Sequence, residues 1–264
     1  MIKVDGKKIA ERIKGEIKTL LKDSGPKSLA IIYVGENPVI DSYVALKRRI
    51  GEELGIRVAV MRFPDDISET ELLGKISEAN DSFDGVIVQL PLPEGLRKEN
   101  ILNAVSTVKD VDVLSLTSAE MFASGTIAKM PPVVAAISEI VEEYDIDLTD
   151  KKIIVVGQGA LVGRPVSAWL RREGREFEVF EKGGDEEILR EADVIITGAG
   201  VPGLITEEMV KDGVILIDAG TSTSSGKLAG DIDPAAYDRA SIVSGVPGGV
   251  GPITVVSLFK NLFL

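Results

Sequence analysis

The stretch Ile153–Leu170, "IIVVGQGALVGRPVSAWL", passes from four β-branched apolar residues through a glycine-rich turn into an amphipathic run. It reads as strand, turn and helix. Gly157 lets the chain leave the strand sharply, and Gly159 lets a backbone come close to a pyrophosphate. The free N–H groups of the helix start, around Val162 and Gly163, then favour an anion. The spacing is G-x-G-x-x-x-G, one residue longer than the dinucleotide fingerprint, so spacing alone leaves an ordinary strand-to-helix turn open. Glu181 closes the next apolar run, "FEVFE", where an acid can accept from a ribose hydroxyl. An ordinary solvated charge is the plain alternative, and Lys182 beside it has the opposite sign.

Outward from this unit, short apolar runs alternate with amphipathic stretches, the pattern of an α/β protein with parallel strands. The expected strands are Leu29–Gly35, Arg57–Phe63 and Asp84–Leu90, then Lys152–Gly157, Phe177–Glu181, Asp193–Gly198 and Val214–Gly220. They are apolar without clean alternation, as when helices cover both faces. Helical patterns fall at Asp5–Lys22, Val39–Leu54, Glu69–Asn80, Val133–Tyr144, Val162–Arg172, Asp185–Glu191 and Val250–Leu264. The weakly periodic "VDVLSLTSAEMFASGTIAKMPP" separates the two strand sets. We therefore expect two domains, residues 1–130 and 131–249, with the helix 250–264 packing back on the first.

The 264 residues carry 30 Lys and Arg against 42 Asp and Glu, a net charge of −12. Nucleic-acid binding requires a basic surface, so that class is disfavoured. No run could span a bilayer and the N-terminus has no signal-like apolar stretch, which points to a cytoplasmic protein. With 0 His and no Cys, thiolate and imidazole metal sites are excluded and no metal is expected. Proton transfer must fall to Lys, Asp, Glu, Tyr or water. "YVALK" puts Tyr43 and Lys47 one helical turn apart on one face, able to enter one cleft. A lysine snorkelling beside a half-buried tyrosine is the ordinary reading of such a pair.

In order along the chain, "VDGKKIAERI", "VGENPVIDSYVALKR", "DGVIVQLPLP", "KDVD", "VVGQGALVGRPV" and "VPGGVGPITV" occur. Together they resemble the bifunctional methylenetetrahydrofolate dehydrogenase/methenyltetrahydrofolate cyclohydrolase family over essentially the whole chain. The resemblance implies an N-terminal α/β folate-binding domain and a Rossmann-like, doubly wound dinucleotide-binding domain. It implies Lys47 as the catalytic lysine, Gln89 as the glutamine that tunes it, Tyr43 packed along the folate, and Asp112 holding the pterin edge. Leu90, Pro91, Pro247, Gly248 and Gly249 would border the same site. Gly157, Gln158, Gly159, Val162, Gly163, Glu181, Lys182 and Thr221 would meet the cofactor, by family usage NADP, with NAD as the alternative. A homodimer is likewise implied.

Such an enzyme fits a chain without histidine. Loss of hydride from methylenetetrahydrofolate to a nicotinamide needs positioning more than a strong base. Hydrolysis of the resulting cation needs a proton acceptor, a task within reach of an amine desolvated in a cleft. Three positions depart from the family pattern. Val113 follows "KDVD" where glycine is usual, Pro131–Val134 read "PPVV" where "PCTP" is usual, and Gly159 stands where serine is usual. They keep open a monofunctional dehydrogenase and a non-catalytic folate- or nucleotide-binding relative, although Lys47 and Gln89 are both present.

Overall fold

The computed structural model describes residues 1–224 and 227–264. In chain order the first elements are β1 (Ile2–Lys3), α1 (Gly6–Ser24), β2 (Ser28–Val34), α2 (Pro38–Leu54), β3 (Arg57–Phe63), α3 (Glu69–Ser82), β4 (Gly85–Val88), α4 (Lys98–Asn103), α5 (Leu116–Ala123) and α6 (Pro132–Glu143). There follow β5 (Ile153–Val156), α7 (Gly163–Arg172), β6 (Glu178–Phe180), α8 (Glu187–Arg190), β7 (Val194–Thr197), β8 (Val214–Asp218), β9 (Ser222–Ser224), β10 (Lys227–Ala229), β11 (Ala240–Ser244) and α9 (Val250–Lys260). The chain forms two compact units, Ile13–Pro132 with Leu258–Leu264, and Met1–Arg12 with Val133–Ser257. The division runs inside α1 and inside α9, so neither unit is one continuous stretch.

The first unit holds a parallel sheet of order β3-β2-β4. Every residue of the central strand β2 is buried, which is why its sequence is an apolar run and not an alternation. Ala30, Ile32, Val86 and Val88 pack on Leu72, Ile76 and Ala79 of α3. Ser68 caps that helix, its Oγ accepting from the Glu71 N–H at 3.2 Å.

The second unit holds a parallel sheet of order β1-β11-β8-β7-β5-β6. The strand order reverses between β5 and β7, and doubly wound sheets bind ligands beyond the carboxyl ends of strands at such a point. Ile154, Val156, Ile195, Leu216 and Val243 anchor the core of this unit.

Among the described residues all seven expected strands are present, and four more with them. The two residues of β1 are exposed and join the sheet through backbone pairing to Ile242 and Val243, which leaves no apolar signal. In β11, "ASIVS", small polar residues dilute the pattern. The hairpin β9–β10 and the short helices α4 and α5 were also unforeseen. Of α5 only Ser118 and Phe122 are buried, too few to set a period.

Candidate active site

In the first unit, local contacts fix the start of α2. Asn37 caps it, Oδ1 accepting from the Ile40 N–H at 3.2 Å. The hydroxyl of Tyr33, a buried residue of β2, accepts from the Asn37 N–H at 2.8 Å. The Arg62 guanidinium lies 4.7 Å from the Tyr33 ring centroid and bonds Asp41 of α2 at 2.6 Å. Helix α2 is thereby tied to two strands, and its face presents Tyr43, 38 % exposed, one turn before the half-buried Lys47. The Lys47 Nζ donates to Gln89 Oε1 at 3.0 Å.

Gln89 follows β4 directly. Its N–H donates to the Ile32 carbonyl at 2.8 Å, and its Nε2 donates to the Leu90 carbonyl at 3.0 Å. Leu90 is half-buried, and exposed Pro91 follows it through a cis peptide. The loop then closes on Glu69, which accepts from the Arg97 Nη2 at 2.8 Å and the Asn100 Nδ2 at 3.0 Å. These contacts hold the Glu69 carboxyl down at about 2.

Asp112 lies in a segment joined to β4 by a parallel bridge between Val86 and Asp110. Asp110 is buried, and its carboxylate accepts from the N–H groups of Leu114 at 3.3 Å and Ser115 at 2.9 Å. Burial pushes the half-buried Asp112 carboxyl up; the Lys47 ammonium opposes this and the Asp110 charge adds to it. Val113 has φ of +55° and is buried. A β-branched residue thus occupies left-handed backbone where glycine fits without strain, and its side chain is packed away. The departure at 131–134 is equally internal, all four residues being buried where α6 begins.

In the second unit, Gly157 has φ of +85° and turns the chain off β5. Gly163 has no room for a side chain, since a Cβ would lie 1.9 Å from the Gly157 carbonyl oxygen. At Gly159 a Cβ would meet nothing nearer than the Gly198 carbonyl oxygen at 3.7 Å, so serine's absence there is not steric. Val162 offers no side-chain cap to α7. In the first turn the Arg164 N–H donates to the Gly159 carbonyl at 3.1 Å and Pro165 has no N–H, so the fit to a dinucleotide pyrophosphate rests on the glycine cradle of Gly157 and Gly159 ahead of the helix. The Gln158 side chain turns into the protein, Nε2 donating to Ser167 Oγ and the Gly157 carbonyl, both at 3.1 Å.

One expectation needs correction here. Glu181 does not end a strand, because β6 stops at Phe180 and the Gly184 N–H donates to the Glu181 carbonyl at 2.8 Å. Glu181 and Lys182 are therefore two exposed residues of one turn, and strand alternation does not set their directions. Thr221 is exposed just beyond β8. The loop of Pro247, Gly248 and Gly249 leads into α9; its Gly248 carbonyl accepts from the Gly6 N–H at 3.0 Å.

Sequence reasoning missed several residues that shape these loops. Asp231 is buried, and its carboxylate accepts from the N–H groups of Ala199 at 2.6 Å, Gly200 at 3.2 Å and Val201 at 2.8 Å. Asp218 accepts from Thr197 Oγ1 at 2.9 Å and from the N–H groups of Gly220, Asp231 and Ile232. Burial lifts Asp218 to about 6. The visible signal was an acid within two residues of glycine in "IDAG" and "GDID". Buried Lys129 and Gly6, which faces the 248–249 loop, were also missed.

Residues 4–112 match the profile of the tetrahydrofolate dehydrogenase/cyclohydrolase catalytic domain, and residues 131–264 that of its NAD(P)-binding domain. The bifunctional protein FolD of Lactobacillus gasseri is 35% identical over 264 residues, covering 98% of this chain and 94% of the relative. The crystal structure of the bifunctional FolD enzyme of Campylobacter jejuni superposes with a TM-score of 0.94 at 35% identity, covering 100% of this chain and 97% of that one. The Trypanosoma brucei enzyme, solved with NADP cofactor and inhibitor, gives a TM-score of 0.92 at 28% identity, covering 99% and 95%.

Proposed function

Because the chain belongs to the tetrahydrofolate dehydrogenase/cyclohydrolase family, we propose that it oxidises 5,10-methylenetetrahydrofolate to the 5,10-methenyl cation and hydrolyses that cation to 10-formyltetrahydrofolate. The observation that carries the reading is the 3.0 Å contact of Lys47 Nζ with Gln89 Oε1 at the carboxyl end of β4. When bound, the nicotinamide supplies the hydride acceptor. For that step the residues of the chain act by placement. Tyr43 offers a ring face to the folate, Asp112 accepts from the N–H groups of the pterin edge, and Leu90, Pro91 and Pro247–Gly249 border the substrate. Gly157, Gly159, Val162 and Gly163 seat the pyrophosphate.

In the second step the oxygen of water bonds to the methenyl carbon. One proton leaves, the bond to N5 opens, and the other proton goes to N5. Lys47 as the free amine receives the departing proton on its lone pair, and Gln89, held through Ile32 and Leu90, fixes the direction of the amine. This pair favours both activities over a dehydrogenase alone.

NADP is the cofactor we assign, with Lys182 as the cation for a 2′-phosphate and Thr221 and Glu181 on the ribose side. The NADP-bound T. brucei relative supports this choice. A cytoplasmic homodimer is the proposed working form; among the described residues no helix is long and apolar enough to cross a membrane. Lys47→Met tests the assignment. Hydrolysis of the methenyl compound should fall at least roughly 100-fold, the scale of a lost general base, while hydride transfer and folding persist. Unchanged hydrolysis in that variant refutes the role of Lys47.

A further inference from the structure

We propose that Lys129 is a positioning residue for folate recognition, holding from beneath the backbone segment that presents Asp112. The proposal rests on the reading of Asp112 as the acceptor for the pterin edge. Lys129 is 5% exposed, and its Nζ donates to the carbonyls of Thr107 at 3.3 Å and Val108 at 2.5 Å. Burial disfavours its charge, and the neighbouring Asp110 carboxylate offsets part of that cost. A buried ammonium is an expensive way to fill space, since an apolar side chain of similar volume does so without desolvating a charge. What an apolar residue cannot do is donate to two carbonyls.

Two further buried side chains work on the same segment. Asp110 takes the N–H groups of Leu114 and Ser115. Asn261 Nδ2 donates to the carbonyls of Val111 and Met130, both at 2.8 Å. Carbonyls 107, 108 and 111 are thus anchored before Asp112, and N–H groups 114 and 115 after it. Asp112 and left-handed Val113 form the short span between the anchors. Such a span is well determined only while both sides hold, because Val113 gains by relaxing towards ordinary backbone. Lys129 holds the side on which the segment arrives.

The test is a double-mutant cycle of Lys129→Met with Asp112→Asn, reading the KM for methylenetetrahydrofolate and the KM for the dinucleotide separately. Lys129→Met should raise the folate KM roughly tenfold, the scale of a lost hydrogen bond to a charged group, and leave the dinucleotide KM unchanged. Lys129→Arg, which keeps a cation at the carbonyls, should recover most of the loss. In the Asp112→Asn background, Lys129→Met should add less than about twofold, since coupled residues are not additive. If Lys129→Met does not fold, Lys129→Gln takes its place under the same criteria. An unchanged folate KM, or an equal factor in both backgrounds, overturns the proposal and leaves Lys129 a scaffold residue. If Asp112→Asn itself leaves the folate KM unchanged, the premise about Asp112 fails and the proposal falls with it.

Discussion

Gly6 and Gly15 lie on the same helix, α1, and replacing each with alanine should have opposite effects. A Cβ at Gly6 would lie 1.9 Å from the Gly249 carbonyl oxygen and 2.6 Å from that of Gly248. An unstrained carbon–oxygen approach is about 3.3 Å, so helix start or loop must yield by roughly 1.4 Å. Overpacking of this kind costs about 1–3 kcal/mol. At about 2–4 °C per kcal/mol for a chain near this size, Tm should drop by roughly 2–12 °C. The loop, held in neither helix nor strand, is the softer of the two and is the stretch we propose borders the folate, where a shift of about 1 Å costs on the order of 100-fold in rate. At Gly15 a Cβ meets nothing within 4 Å. There alanine should stabilise by about 1 kcal/mol through helix propensity alone and leave turnover unchanged. Steady-state kinetics and thermal unfolding of both variants decide the matter. Gly6→Ala activity within threefold of the parent refutes the assignment of the Gly248–Gly249 loop to the site.

Three other outcomes are expected. Lys182→Ala should weaken NADP binding about three- to fivefold, the worth of one exposed charge contact, and leave NAD untouched, whereas Glu181→Ala should improve NADP binding; four unchanged dissociation constants would show that this turn does not meet the ribose. Gly159→Ser should fold normally and lower the dinucleotide KM severalfold, since the Cβ has room and one added hydrogen bond is worth about 1 kcal/mol; a raised KM contradicts it. Glu69 is held at about 2 against an ordinary 4.5, so its contribution to stability is present above pH 4.5 and disappears as pH falls towards 2. Glu69→Gln should therefore flatten the acid limb of the Tm–pH curve, and superimposable slopes for parent and variant between those values exclude the role.

The parts of the molecule that the sequence made legible are those where burial or a φ requirement acts on a single local stretch. The run of β2 and the turn at Gly157 are of this kind, as are the helix repeat that pairs Tyr43 with Lys47. Gln89 was legible only through its motif; no periodicity announces that a strand end will bring an amide to 3.0 Å from Lys47. Lys129 was not legible, and Asp231 only faintly through its place beside Gly230, because a buried charge is written in the same letter as an exposed one and only its distant partners distinguish them. Glu181 was misplaced at a strand end because the Gly184 N–H, donating to the Glu181 carbonyl, bends the chain one residue earlier than the apolar run suggests.

The pairing of Ile2 and Lys3 with Ile242 and Val243 has a consequence for how the protein is made. A ribosome releases β1 first, and its partner β11 emerges 240 residues later, the separation between Ile2 and Ile242. Until then β8 presents an open edge on the side where β11 will dock, as β11 separates it from β1 in the finished sheet. Pairings of such long sequence separation form slowly, and an unpaired edge invites association with other chains. Slowing translation between β8 and β11 should therefore lengthen the most aggregation-prone interval in the life of this protein, whereas a pause before β8 should matter much less.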